Sequence, residues 1–170
     1  MSQPTAVDQL CPNCGLCCDS TLFSDVELRA GDDPGRLKKL GLMVHQKTKT
    51  RLAFGQPCAC FDGRLCNIYA DRPRRCRLFE CGLLKRVNAG EMTVRAALKR
   101  ISEVRRDANV VHDLLRQSGQ QDEQMAMTHR YAEAMRAPMD MADEEGVERH
   151  GELMLAVNAL MERLERDFLR

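Results

Sequence analysis

A mainly α protein in two parts is what this sequence predicts. A small, irregular, cysteine-rich module with short helices and a short β-hairpin comes first, and a C-terminal helical hairpin or three-helix bundle follows. Three observations carry the prediction. All nine cysteines lie between Cys11 and Cys81, in the first half of the 170 residues. The same half holds most of the glycine and proline punctuation, which breaks a chain into short elements. The second half is rich in Arg, Glu, Ala, Leu and Met and repeats its apolar residues at steps of three and four. The composition changes near Val87–Gly90, so the domains read as 1–88 and 89–170.

Each element follows from local signals. Ser24 and Glu27 make a capping-box pattern, which predicts a helical turn or two there. Asp33-Pro34 at the start and Gly41 past the end predict a second short helix. Arg51–Phe54 alternates as a strand does, with Leu42–Val44 as its partner. Beyond the boundary, Thr93 caps a helix whose apolar positions run Val94, Leu98, Ile101, Val104, Ala108, Val111 and Leu115, and Gly119 ends it. A second helix is expected over about Gln121–Ala137, where Pro138 stops it. A third is expected over about Glu145–Phe168, with Leu153, Val157, Leu160 and Leu164 on one face. These stripes can pack on one another or extend into a protein partner or a second copy of the chain.

Composition removes several function classes. Lys and Arg number 26 against 25 Asp and Glu, so nothing in the net charge calls for a polyanion. Aromatic residues make up only 4%, with no Trp, which removes the stacking platforms of a nucleic-acid binder. No apolar run approaches the ~20 residues of a membrane span. Met1–Leu10 is polar and contains Asp8, so it lacks the apolar stretch of a secretory signal. The expected setting is cytoplasmic. There thiols stay reduced, and dense cysteines bind metal or do redox chemistry more often than they form disulfides.

The opening motif is Cys11-Pro-Asn-Cys14-Gly-Leu-Cys17-Cys18. Two cysteines separated by two residues can chelate one centre from a tight turn, and Gly15 permits the left-handed backbone such a turn needs. Cys11, Cys14 and Cys17 reproduce the start of a bacterial ferredoxin run, from which the adjacent Cys18 departs. Neighbouring Cα atoms stand about 3.8 Å apart, below the ~4.4–6.8 Å of ordinary disulfides, so a Cys17–Cys18 bridge would be strained. Adjacent side chains also diverge. The pair is therefore expected to serve two metal ions, or two corners of one cluster, in a two-centre or polynuclear site.

A second group holds Cys58, Cys60, Cys66, Cys76 and Cys81. Around it Arg64, Arg72, Arg74, Arg75, Arg77, Lys85 and Arg86 outnumber Asp62, Asp71 and Glu80. Those cations can offset the negative charge of a thiolate centre, receive an anionic partner, or form a solvated surface.

Taken together, the motifs resemble the YkgJ-like CxxCxxCC cysteine-cluster family of zinc- or iron-chelating domains. The resemblance runs over about residues 11–81. It rests on Cys11, Cys14, Cys17 and Cys18, then on Cys58, Cys66, Ile68, Tyr69, Arg72, Pro73, Cys76, Arg77 and Cys81. Cys60 departs from the family pattern and is the expected spare thiol. The resemblance implies metal ligation by the eight matched cysteines. Their all-thiolate chemistry suits an iron–sulfur cluster of 4Fe-4S type or Zn2+.

The expected function is metal binding, with electron transfer or redox sensing where the metal is an iron–sulfur cluster. The alternatives are a zinc-stabilised adaptor whose helices bind a protein partner, and an accessory subunit of a modifying enzyme. Lysine methylation comes in here through related cysteine-cluster modules. No P-loop, GxGxxG, GxSxG or HExxH occurs, and His45, His112, His129 and His150 are scattered, so no catalytic residue is assigned.

Overall fold

The computed structural model describes residues 4–170 and is mainly α-helical. The first helix, α1, spans Ala6–Cys14. Thr5 caps it, taking the Asp8 N–H while the Asp8 carboxylate takes the Thr5 N–H at 2.9 Å. Val7, Leu10 and Cys14 share one face and pack into the core. Cys11 and Cys14 thus sit in the last turn of a helix, not on the free tight turn the spacing suggests. Gly15 ends α1 at φ 74°. A side chain there would also meet the Phe61 ring at 2.8 Å, so only glycine serves.

A three-stranded antiparallel sheet follows, with β1 at Asp25–Glu27, β2 at Val44–Thr48, β3 at Arg51–Gly55 and the order β1-β3-β2. The hairpin expected from Arg51–Phe54 is present, its partner strand lying further along the chain than Leu42–Val44. The helical turn expected at Ser24–Glu27 is not: that segment is β1. Val26 pairs with Phe54 and is buried, while Asp25 and Glu27 point outward to Lys47 and Arg51. In so short a run the tertiary pairing overrides the capping signal. Helix α2, Pro34–Lys39, has the Asp33 cap and N-terminal proline that the sequence announces. Short helices α3, Arg74–Leu78, and α4, Gly82–Asn88, complete the first half.

The second half contains α5 at Val94–Gln117, α6 at Met127–Arg136 and α7 at Glu144–Leu164, which runs into a π-helical turn at Glu165–Leu169. The α5 start at Thr93 matches the reading, but α6 begins later than expected. Residues before it form an Asp122–Met125 turn, and the Met127 N–H donates to Ser20 Oγ at 3.1 Å. That bond ties the helix start to the first half.

Two apolar cores result. The larger joins Leu10 of α1, Leu16 just after it, Leu83 and Leu84 of α4, and the inner faces of α5, α6 and α7. The smaller holds Val26, Leu37, Leu42, Val44, Phe54, Cys60 and Ile68 around the sheet. Among the described residues no helix is long and apolar enough to cross a membrane.

Candidate metal centre

Eight cysteines line one open cavity of about 280 Å³: Cys11, Cys14, Cys17, Cys18, Cys58, Cys66, Cys76 and Cys81. Cys60 is not among them. It is buried under α2, and its thiol donates to the Leu40 carbonyl at 3.4 Å.

Local structure aims each thiol. Cys11 and Cys14, three residues apart, share a face of α1. The Gly15 carbonyl accepts from the Cys18 and Asp19 N–H groups at 2.8 and 3.0 Å, a turn that carries Cys17 and Cys18 past the helix end. Cys81 is the residue that precedes α4, and α4 lies against α1. On the other side, the Cys58 N–H donates to the Cys18 carbonyl at 2.8 Å, fixing those two strands of chain together. The Asp62 carboxylate accepts from the Arg64 and Leu65 N–H groups at 2.8 and 2.6 Å, making the tight loop that returns the chain to Cys66. Pro73 opens α3, which presents Cys76. The Arg74 N–H at that helix start is held by Asp32 at 2.7 Å.

Burial and neighbouring thiols raise most of these cysteines. Burial pushes Cys14 up to about 12, and Cys81 and Cys11 add to that. Burial likewise raises Cys17, assisted by Cys14, Cys18, Cys81 and Cys11. Cys11 is raised by burial and by Cys81. In the other set, burial raises Cys18, with Cys58, Cys76 and Cys66 adding to it. Cys76 is pushed up to about 12 by burial and by Cys58 and Cys66. Burial brings Cys58 to about 11. Cys11, Cys14, Cys17 and Cys81 thus influence one another, as do Cys18, Cys58, Cys66 and Cys76, while Cys17 also feels the adjacent Cys18 and Cys58 the buried Cys60. The adjacent Cys17 and Cys18 fall on opposite sides of the division.

Raised in this way, Cys11, Cys14, Cys17, Cys18, Cys58 and Cys76 keep their protons at neutral pH without metal, so a metal must displace them to bind. Arg72 opposes the upward shifts of both Cys11 and Cys76. It is held between the two sets by its Nε bond to the Tyr69 carbonyl at 2.9 Å and by lying 3.6 Å over the Tyr69 ring.

The donor chemistry fits a thiophilic metal: eight thiols around a shared cavity, with a guanidinium between the sets. Among the described residues, no three Cys, His, Asp or Glu side chains converge as tightly as a single metal ion requires. The thiols surround a space and do not meet at a point. One lining residue carried no sequence signal. Gln56 is buried on the cavity wall, and its Oε1 has no hydrogen-bond partner. Neither periodicity nor motif marks it.

A family model described as "CxxCxxCC: Putative zinc- or iron-chelating domain" matches residues 10–102, more than half of the chain. No curated protein and no solved structure matches the chain.

Proposed function

We propose, for a chain that belongs to the CxxCxxCC family of zinc- or iron-chelating domains, that its metal-binding role is to carry two iron–sulfur centres for electron transfer or redox sensing. Cys11, Cys14, Cys17 and Cys81 hold one centre; Cys18, Cys58, Cys66 and Cys76 hold the other. The observation that carries this reading is the gathering of eight thiols around one cavity, enough for two centres of four ligands each.

Cys11, Cys14 and Cys17 reproduce the start of a ferredoxin run, which favours a 4Fe-4S core over Zn2+. Such a core would supply one-electron chemistry with a potential set by nearby charge and hydrogen bonds. Arg72 would stabilise the charge on either side of it. A cytoplasmic setting, where thiols are kept reduced, suits the nine free cysteines.

The test is elemental analysis with a visible spectrum on protein purified without air. Brown protein containing iron and acid-labile sulfide is expected. One metal atom per fully loaded chain would sink the two-centre reading. Colourless protein with stoichiometric zinc would replace iron–sulfur by the adaptor reading. One observation favours that second reading: α7 and the turn after it leave Met154, Leu155, Met161 and Leu169 exposed, a surface for a protein partner or self-association.

A further inference from the structure

We propose that the mouth of the cysteine cavity is a docking surface for an acidic protein partner. Arg64, Arg75 and Arg77 are exposed and line the cavity, with Arg74 beside them. Among the described residues, none of these four makes an ion pair. Nearby carboxylates are committed elsewhere, apart from the exposed Glu80, which lines the cavity and accepts only from Asn88 at 3.5 Å. Asp62 accepts from backbone N–H groups, Asp71 pairs with Arg36, Asp25 pairs with Lys47, and Asp32 caps the backbone of Arg29 and Arg74. Along the helices most arginines are paired: Arg86, Arg100, Arg116, Arg149, Arg163, Arg166 and Arg170 each reach a carboxylate. Unpaired arginines also stand on α5 and α6, at Arg95, Arg106 and Arg136, but the mouth gathers four of them within residues 64–77.

Arg72, the half-buried member of the group, is held by the Tyr69 carbonyl and ring, while its exposed neighbours face solvent. Apolar side chains flank them: Leu65 is 47% exposed, Tyr69 46% and Leu78 68%. Arginine, tyrosine and aliphatic side chains around a depression make the composition of a protein interface. A nucleic acid would want free aromatic faces. Here Arg72 covers Tyr69, while Phe23 and Phe79 pack edge to face on each other at 5.0 Å. The surface stands on geometry alone. That its partner exchanges electrons with the centres rests on the function proposed above.

Binding of a fluorescein-labelled poly-L-glutamate peptide to the metal-loaded protein, followed by anisotropy, tests this. The triple variant R64E/R75E/R77E is expected to weaken binding about tenfold or more, while the control R95E/R106E/R136E, with the same change in net charge, changes it less than about twofold. Metal content is measured in every variant. Binding lost with metal retained supports the docking surface. Equal losses in the two triples, or tighter binding of a poly-dT oligonucleotide than of the peptide, would overturn it. Should the triple fail to fold, Arg64→Glu in its exposed loop carries the same test, with a loss of about threefold expected and no loss overturning the proposal. Peptide binding through the mouth by protein that, purified without air, contains neither iron nor acid-labile sulfide would break the function reading and leave the docking surface standing.

Discussion

The two sets of thiols stand on different foundations. Cys14 and Cys81 pack against the large core that α1 and α4 share with α5, α6 and α7. Cys58, Cys66 and Cys76 pack against the small core around the sheet. The first set is thus anchored to long helices that bury one another, while the second hangs on a handful of side chains and short elements. Small cores supply little stability unaided, and a metal commonly makes up the difference. On the function proposed above, the chain would hold one centre on a preformed scaffold and would need the other to complete its own.

Metal removal is the largest expected effect and the most direct way to break that comparison. Metal-binding energy at all-thiolate sites is folding energy, on the order of ten kcal/mol for zinc peptides. After chelation under reductant, hydrogen exchange should rise sharply across β1, β2, β3 and residues 56–78. Amides of α5 and α7 should keep most of their protection. Uniform loss of protection along the chain would show that the two foundations are one.

Core truncations sharpen the comparison. Leu160 is fully buried in the large core, so Leu160→Ala should cost about 2–5 kcal/mol in urea unfolding and loosen α1 and α4 as well. Phe54, paired with both Val26 and Val44, anchors the small core. Phe54→Ala should cost about 3–5 kcal/mol locally. It should reduce metal at the second set alone, leaving about half the metal of the wild type. Equal metal loss in the two variants would argue against separate anchoring.

The two regions should also fail at opposite ends of the pH scale. Asp167 is buried beside Arg86, Arg100 and Arg166 at the end of α7. Burial pushes its carboxyl up, but bonds from Arg166 and Arg86 and the charge of Arg100 outweigh that and hold it below the usual range. Its stabilising contribution is present above about pH 4 and is lost as pH falls through the depressed value. The thiols behave oppositely in metal-free protein. Raised in the folded state, Cys14, Cys58 and Cys76 favour folding below the ordinary thiol value of 9.0 and cost stability as pH climbs toward 11 and 12. Urea midpoints of metal-free protein should fall at both ends. Asp167→Asn should remove most of the acid limb, at a cost of about 1–3 kcal/mol at neutral pH.

Legibility in the sequence divides along the same line. The helices α5 and α7 were readable because a long apolar stripe averages over local accidents, and Thr93 and Gly119 mark the ends of α5. The α6 start was not, since a bond to Ser20, far off in sequence, decides it. At Ser24–Glu27 a local capping signal lost to pairing with β3, which no local window contains. The cysteines could be read as a set from their spacing, and divergence of Cys17 and Cys18 could be argued from the peptide bond. Which thiols face each other could not. That depends on α4 folding back on α1, a contact that carries Cys81 across to Cys11, Cys14 and Cys17.

Cys60 provides the smallest and most discriminating test of the division. Its thiol sits in the small core, bonded to the Leu40 carbonyl and 3.6 Å from the position a Cβ on Gly41 would take. A serine there keeps a donor for Leu40 but loses the larger, apolar sulfur, so Cys60→Ser should cost about 1 kcal/mol. Metal content should not change, because the side chain lies off the cavity wall. Cys58→Ser, only two residues away, should empty the second centre and leave the first. If Cys60→Ser also lost metal, the second set would have to include a thiol from inside the small core. The boundary drawn here between packing and ligation would then be in the wrong place.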